Sequence, residues 1–89
     1  MDKKEIIEKV NAVFEESFEI NRDDLEPGKN IFLDLGLDSL DVVDLIVALQ
    51  KKFDVKIRDD ERVRLIRTLD DLYGYIEVLK SEGLMPEGA

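Results

Sequence analysis

The 89-residue sequence contains no cysteine and no histidine. Without cysteine there is no disulfide, no thiolate nucleophile and no zinc–thiolate site. Without histidine the usual general base at neutral pH is missing, and no G-x-S-x-G elbow offers a serine nucleophile its setting. No stretch approaches the ~20 apolar residues of a membrane span. The mixed charges of "MDKKEIIEKV" lack the apolar run of a signal peptide, so a cytoplasmic protein without membrane insertion is expected. Positive charge is scarce as well. Against 22 Asp and Glu stand 13 Lys and Arg, and the net charge of −9 argues against nucleic acid and for partners with basic patches.

Apolar side chains, by contrast, are plentiful. They make up 44% of the chain, too many for a disordered tail. The length suits one domain over residues 1–89, monomeric by default, with a modest core and no deep enclosed cavity. Apolar residues at three- and four-residue spacing (Ile6, Ile7, Val10, Val13, Phe14 and Phe18) predict a helix over 3–18. A long connection, 19–38, is broken by Pro27-Gly28 and anchored by Ile20, Leu25, Ile31, Phe32, Leu35 and Leu37. A second helix is expected over 39–53, with Asp38 as N-cap and Asp41 closing a capping box. "RDDERVRLIR" offers a short helix starting near Asp59, with only Val63, Leu65 and Ile66 to bury. A last helix follows Thr68, again with a box acid at Asp71, and its stripe is Leu69, Leu72, Tyr73, Ile76 and Leu79. Gly83 and Pro86 end it, and 83–89 reads as a frayed tail. The predicted fold is all-α: a small antiparallel four-helix bundle with a long loop between helices 1 and 2 and a short third helix.

The second helix is apolar on two sides. At 100° per residue, Val42, Leu45, Ile46, Leu49 and Phe53 share an arc of about 100°, enough for a core face. Leu40, Val43 and Val47 cluster opposite, bordered by Asp44 and Lys51. Either both stripes are core, or the second is an exposed docking surface ringed by charge. Burying a Leu or Val is worth roughly 1.5–3 kcal/mol before association costs, so such a surface would bind weakly and briefly.

At the head of this helix stands Ser39, with Asp38 before it and Asp41 and Asp44 after. From spacing alone the plainer account is favoured, in which the serine helps satisfy free amides at the helix start. Catalysis by Ser39 is rejected, because no base or elbow accompanies it. The acids lack the spacing and terminal Glu of an EF-hand, so no metal is expected.

"DLGLDSLDVVDLIVALQKKFDVKI" closely resembles the signature of acyl carrier proteins, and the likeness extends over nearly the whole chain. The resemblance implies that Ser39 is esterified by 4′-phosphopantetheine, delivered from coenzyme A by a phosphopantetheinyl transferase that supplies its own Mg²⁺. The arm's thiol would then carry acyl groups as thioesters among acyl-transferring or condensing enzymes of fatty-acid, lipid or polyketide-type biosynthesis. The expected recognition surface is Asp38, Leu40, Asp41, Val43, Asp44, Val47 and Lys51, with the acids as an electronegative rim for a basic partner beside the apolar stripe. A serine without an internal base is then no puzzle, since the activating enzyme is a separate protein. An anion at a helix N-terminus is favoured by free N–H groups and the helix dipole. Gly36 either keeps the approach to Ser39 clear or serves a positive-φ loop.

One departure from the family pattern stands out. Carriers of fatty acids usually have acids at the end of the second helix, whereas this chain has Gln50, Lys51 and Lys52, then Arg58, Arg62, Arg64 and Arg67. Residues 50–67 hold seven Lys/Arg against four Asp/Glu. This leaves two accounts open, a specialised carrier or a solvated charged face without a role, and the first is the expectation. Two other readings stay open: an aminoacyl or D-alanyl carrier, and an unmodified acidic interaction module. Ile46, Leu49, Phe53, Ile66 and Tyr73 are candidates to line a space for the cargo.

Overall fold

A computed structural model describes residues 2–57 and 61–83. Helix α1 (Lys3–Phe18) begins where the Asp2 carboxylate accepts the Glu5 N–H at 2.9 Å. It stops at Glu19, whose left-handed φ of 53° turns the chain so that Ile20 N–H donates to Phe14 C=O at 3.2 Å. Helix α2 (Ser39–Phe53) and helix α3 (Leu69–Ser81) each open with a complete capping box, Asp38 with Asp41 and Thr68 with Asp71. Lys51 and Lys52 fall in the last turn of α2, where the helix dipole favours cations.

Helix α1 packs on both α2 and α3. The faces that meet are those the periodicity marks. Ile6, Val10, Val13 and Phe14 come from α1, Leu45, Leu49 and Phe53 from α2, and Leu69, Leu72, Tyr73, Ile76 and Leu79 from α3; all are buried. The 19–38 connection is ordered by its own anchors, with Leu25, Ile31 and Leu37 buried and Ile20, Phe32 and Leu35 packed against the core. It contains one 3-10 turn, Arg22–Asp24. Hydrogen bonds tie it to the start of α3: Ile31 N–H donates to Arg67 C=O (2.8 Å) and Leu69 N–H to Lys29 C=O (3.1 Å). Among the described residues there is no strand, and one isolated bridge joins Asn30 to Thr68.

The expected short third helix is present only as a five-residue 3-10 helix, and the expected burial of Leu65 is corrected. Glu61–Leu65 forms a 3-10 turn, not an α-helix, and Leu65 is 75% exposed instead of buried. Side chains three apart eclipse in a 3-10 turn, so Val63 and Ile66 turn inward together while Leu65 falls outside their line. With arginine at three of its six positions, "RVRLIR" has too little apolar surface to seat an α-helix. Arg62 fastens the turn instead, donating to both carboxylate oxygens of Glu82 (3.0 and 3.1 Å) and lying over the Tyr75 ring. The predicted start near Asp59 and the rest of the tail, 84–89, lie outside the described residues; Gly83, with φ 74°, stands at the end of α3.

One polar pair sits inside the core. Tyr73 Oη donates to Asn11 Oδ1 at 2.6 Å, and both residues are buried. Burial pushes the Tyr73 pKa up, against the opposing effect of the Asn11 contact. Tyr73→Phe strands the Asn11 amide, and the expected cost is about 1–3 kcal/mol in urea unfolding. Adding Asn11→Leu to Tyr73→Phe should recover most of the loss. A double variant less stable than Tyr73→Phe alone would contradict this account.

The α3 cap makes stability depend on acid. Thr68 N–H, then Arg67 N–H, donate to the Asp71 carboxylate (3.1 and 3.0 Å) and hold its pKa below the ordinary value. A lowered folded pKa contributes stability that is present above the unfolded value and is lost as pH falls through the folded one. Urea midpoints should therefore drop from about pH 4 downward, and drop less steeply in Asp71→Asn. Parallel curves for the two proteins would show that the cap does not set this slope.

Candidate functional site

The chain reaches α2 through a turn built on Asn30. Its side-chain Oδ1 accepts the N–H groups of Phe32 and Leu33, both at 2.9 Å, while Asp34 Oδ2 accepts the Asn30 N–H at 2.7 Å. Asn30 was not singled out from the sequence, although an Asn in a connecting segment is a recognisable Asx-turn former. Gly36 then takes φ 77°, and nothing lies within 4 Å of where its Cβ would be. Backbone conformation, not crowding, is what calls for glycine here. Leu37 is buried and its N–H donates to Ile31 C=O at 3.1 Å, so the next residues emerge at a fixed place on the surface.

Those residues are Asp38, Ser39 and Leu40, all exposed. Asp38 Oδ1 accepts the N–H groups of Leu40 and Asp41, both at 2.9 Å, and Asp41 Oδ2 accepts the Asp38 N–H at 3.0 Å. The capping box is thus complete without the serine. Ser39 Oγ makes no hydrogen bond to any described residue, which removes the plainer account of it as a helper in the cap. The same geometry corrects the expectation of free amides for an anion. Two N–H groups of the first turn are already taken by Asp38, so a phosphate on Ser39 would find the helix dipole and the Ser39 N–H, not an open ring of donors.

Along α2 the second apolar stripe is exposed: Leu40 by 75%, Val43 by 61% and Val47 by 44%. Asp44 and Lys51, on the same side, are exposed too, and Asp41 is half-buried. The seven residues of the expected recognition surface therefore lie at the head of α2 and along one face of it. The opposite face is core at Leu45, Leu49 and Phe53 but only half-buried at Val42 and Ile46. Val42 and Ile46 line an apolar cleft of about 20 Å³ with Phe32, Val63 and Ile66 among its walls. That is room for about one water molecule. Of the candidates for a cargo space, Ile46 and Ile66 line this cleft; Leu49, Phe53 and Tyr73 do not, because they are sealed in the contacts with α1 and within the core.

Much of the basic segment is engaged within the fold. Gln50 Oε1 accepts the Ile57 N–H at 2.9 Å and closes the loop after α2. Lys52 pairs with Glu16 at 3.4 Å. Arg62 holds Glu82, and Arg67 donates to the carbonyls of Arg64 and Ile66 and lies over the Phe32 ring. Lys51, Lys56 and Arg64 remain as exposed cations. Arg58 lies outside the described residues.

Comparison with known proteins gives concordant results. A family model described as "Phosphopantetheine attachment site" matches residues 8–76. The acyl carrier protein of Campylobacter jejuni subsp. doylei is 45% identical over 71 residues, covering 80% of this chain and 91% of that relative. The acyl carrier protein of Campylobacter lari is 40% identical over 75 residues, covering 84% of this chain and 96% of that relative.

Proposed function

This chain belongs to the phosphopantetheine-binding acyl carrier family, and from that premise we propose that Ser39 Oγ is the atom that bears the arm. Members of the family carry acyl groups and do not transform them, and they hold 4′-phosphopantetheine covalently. The arm supplies a terminal thiol on which cargo rides as a thioester, chemistry that a chain without cysteine lacks. The single observation behind Ser39 is its exposed hydroxyl at the head of α2, left without a hydrogen bond by a cap that does not need it.

The other serines compare poorly. Ser17 and Ser81 sit in the last turns of α1 and α3, where the dipole opposes an anion; Ser39 is at the favourable end of its helix. Asp38, Asp41 and Asp44 surround it with negative charge that a basic enzyme surface would recognise, and Leu40, Val43 and Val47 supply the apolar contact. No helix among the described residues is long and apolar enough to cross a membrane. In this reading the whole chain is one cytoplasmic, monomeric carrier domain. The Glu61–Leu65 turn takes the place of the short third helix in an antiparallel four-helix bundle. The Lys51 end of α2 suits a specialised pathway better than general fatty-acid synthesis.

Intact-mass measurement tests the attachment. Incubation with coenzyme A, Mg²⁺ and a broad-specificity phosphopantetheinyl transferase should add one arm, mapped to the peptide containing Ser39. No adduct, or an adduct on Ser17 or Ser81, would overturn the assignment.

A further inference from the structure

The exposed face of α2 is electrically two-ended. Leu40, Val43, Asp44, Val47 and Lys51 lie within one arc of the helix, in that order along its axis. Asp44 and Lys51 are seven residues apart, two turns, so their side chains leave the same line about 10 Å from one another. Neither makes a hydrogen bond or ion pair with a described residue, and both are exposed. Nearby polar groups of the segment are withdrawn from this face by partners in the fold: Gln50 by the Ile57 amide and Lys52 by Glu16. Negative charge thus gathers at the Ser39 end and one free cation closes the apolar stripe at the other.

Resting on the carrier reading, we infer that this face fits an enzyme whose docking patch is polarised in the opposite sense. It places a cation against Asp44 and the acids around Ser39, apolar pockets over Leu40, Val43 and Val47, and a carboxylate against Lys51. A patch that is basic along its whole length meets attraction at one end and like-charge repulsion at the other. Such a partner docks in one direction only, because turning it end for end sets like charges against each other at both ends. Lys51 is therefore a specificity residue for the partner. A cation in the last turn of a helix also complements the dipole, but Lys52 already serves that position.

A charge-swap experiment separates these roles. The probe is a purified condensing enzyme with a uniformly basic docking patch, together with a set of variants each carrying one Lys→Glu or Arg→Glu change across that patch. Direct binding to the full chain lacking the arm is measured at low salt, so the readout does not depend on Ser39 attachment; mass measurement reports that separately. At least one enzyme variant should bind the wild-type chain about three- to tenfold more tightly than its parent does. Lys51→Glu should reverse that preference, and raising the salt should shrink it. The inference is overturned if every enzyme variant binds more weakly than the parent, if Lys51→Glu leaves the ranking unchanged, or if no form binds. A role confined to the helix dipole would shift the unfolding midpoint of Lys51→Glu and leave the ranking alone.

Discussion

Ser39→Ala is expected to abolish attachment of the arm completely while moving the stability of the fold by less than about 0.5 kcal/mol. The asymmetry follows from the geometry at the head of α2. Ser39 is exposed and its hydroxyl bonds to nothing described, so its loss removes no contact. The amides of the first turn are held by Asp38, and the Asp38 amide by Asp41. Asp38→Ala should behave in the opposite way, lowering stability by roughly 0.5–2 kcal/mol through the lost cap and leaving a hydroxyl that can still be esterified. Mass spectrometry after treatment with coenzyme A and the transferase reads the first quantity, and thermal unfolding reads the second. An adduct persisting on Ser39→Ala would place the attachment elsewhere. A large fall in its midpoint would mean that the serine is structural after all.

Phe53→Ala is expected to have the largest effect on the fold, about 3–5 kcal/mol. Phe53 is fully buried as the last residue of α2, with the Lys9 ammonium 5.8 Å from its ring centroid. It is therefore shared between α1 and α2, and removing the ring leaves a cavity that neither helix can close without moving the other. Domains of this kind have about 5–15 kcal/mol in total, so the variant should melt at least about 12 °C lower. Below its new midpoint it should still accept the arm, since α2 begins fourteen residues earlier at its own capping box. A loss under about 1 kcal/mol would show that the α1–α2 contact is looser than the burial implies. Comparison with Leu40→Ala, on the exposed stripe of the same helix, separates packing from docking. That change should leave stability almost untouched and weaken partner binding.

Other features of the molecule differ in how far they can be read from neighbouring residues. The bounds of α1, α2 and α3 agree with the apolar periodicity, and the boxes at Asp38–Asp41 and Thr68–Asp71 lie where the three-residue spacing puts them. Each is a contact between residues three or four apart, written in adjacent letters. Asn30 belongs to the same class and was legible in principle. The turn at Glu61–Leu65 was harder to read. Val63, Leu65 and Ile66 look alike in sequence, and which of them faces inward depends on whether the backbone turns every three residues or every 3.6.

By itself the sequence determined that this is a cysteine-free, acidic, helical chain with a serine set at the head of its second helix, because those properties are compositional or depend on residues within one turn. Tertiary structure alone decided that Leu40, Val43 and Val47 stay in solvent while Leu45, Leu49 and Phe53 on the other face of α2 are buried. It alone decided that Lys52 and Arg62 are bound within the fold and Lys51 is free. The physical reason is distance along the chain: Glu16 is 36 residues from Lys52 and Glu82 is 20 from Arg62. No local pattern records which charges meet once α1 and α3 have closed around the core.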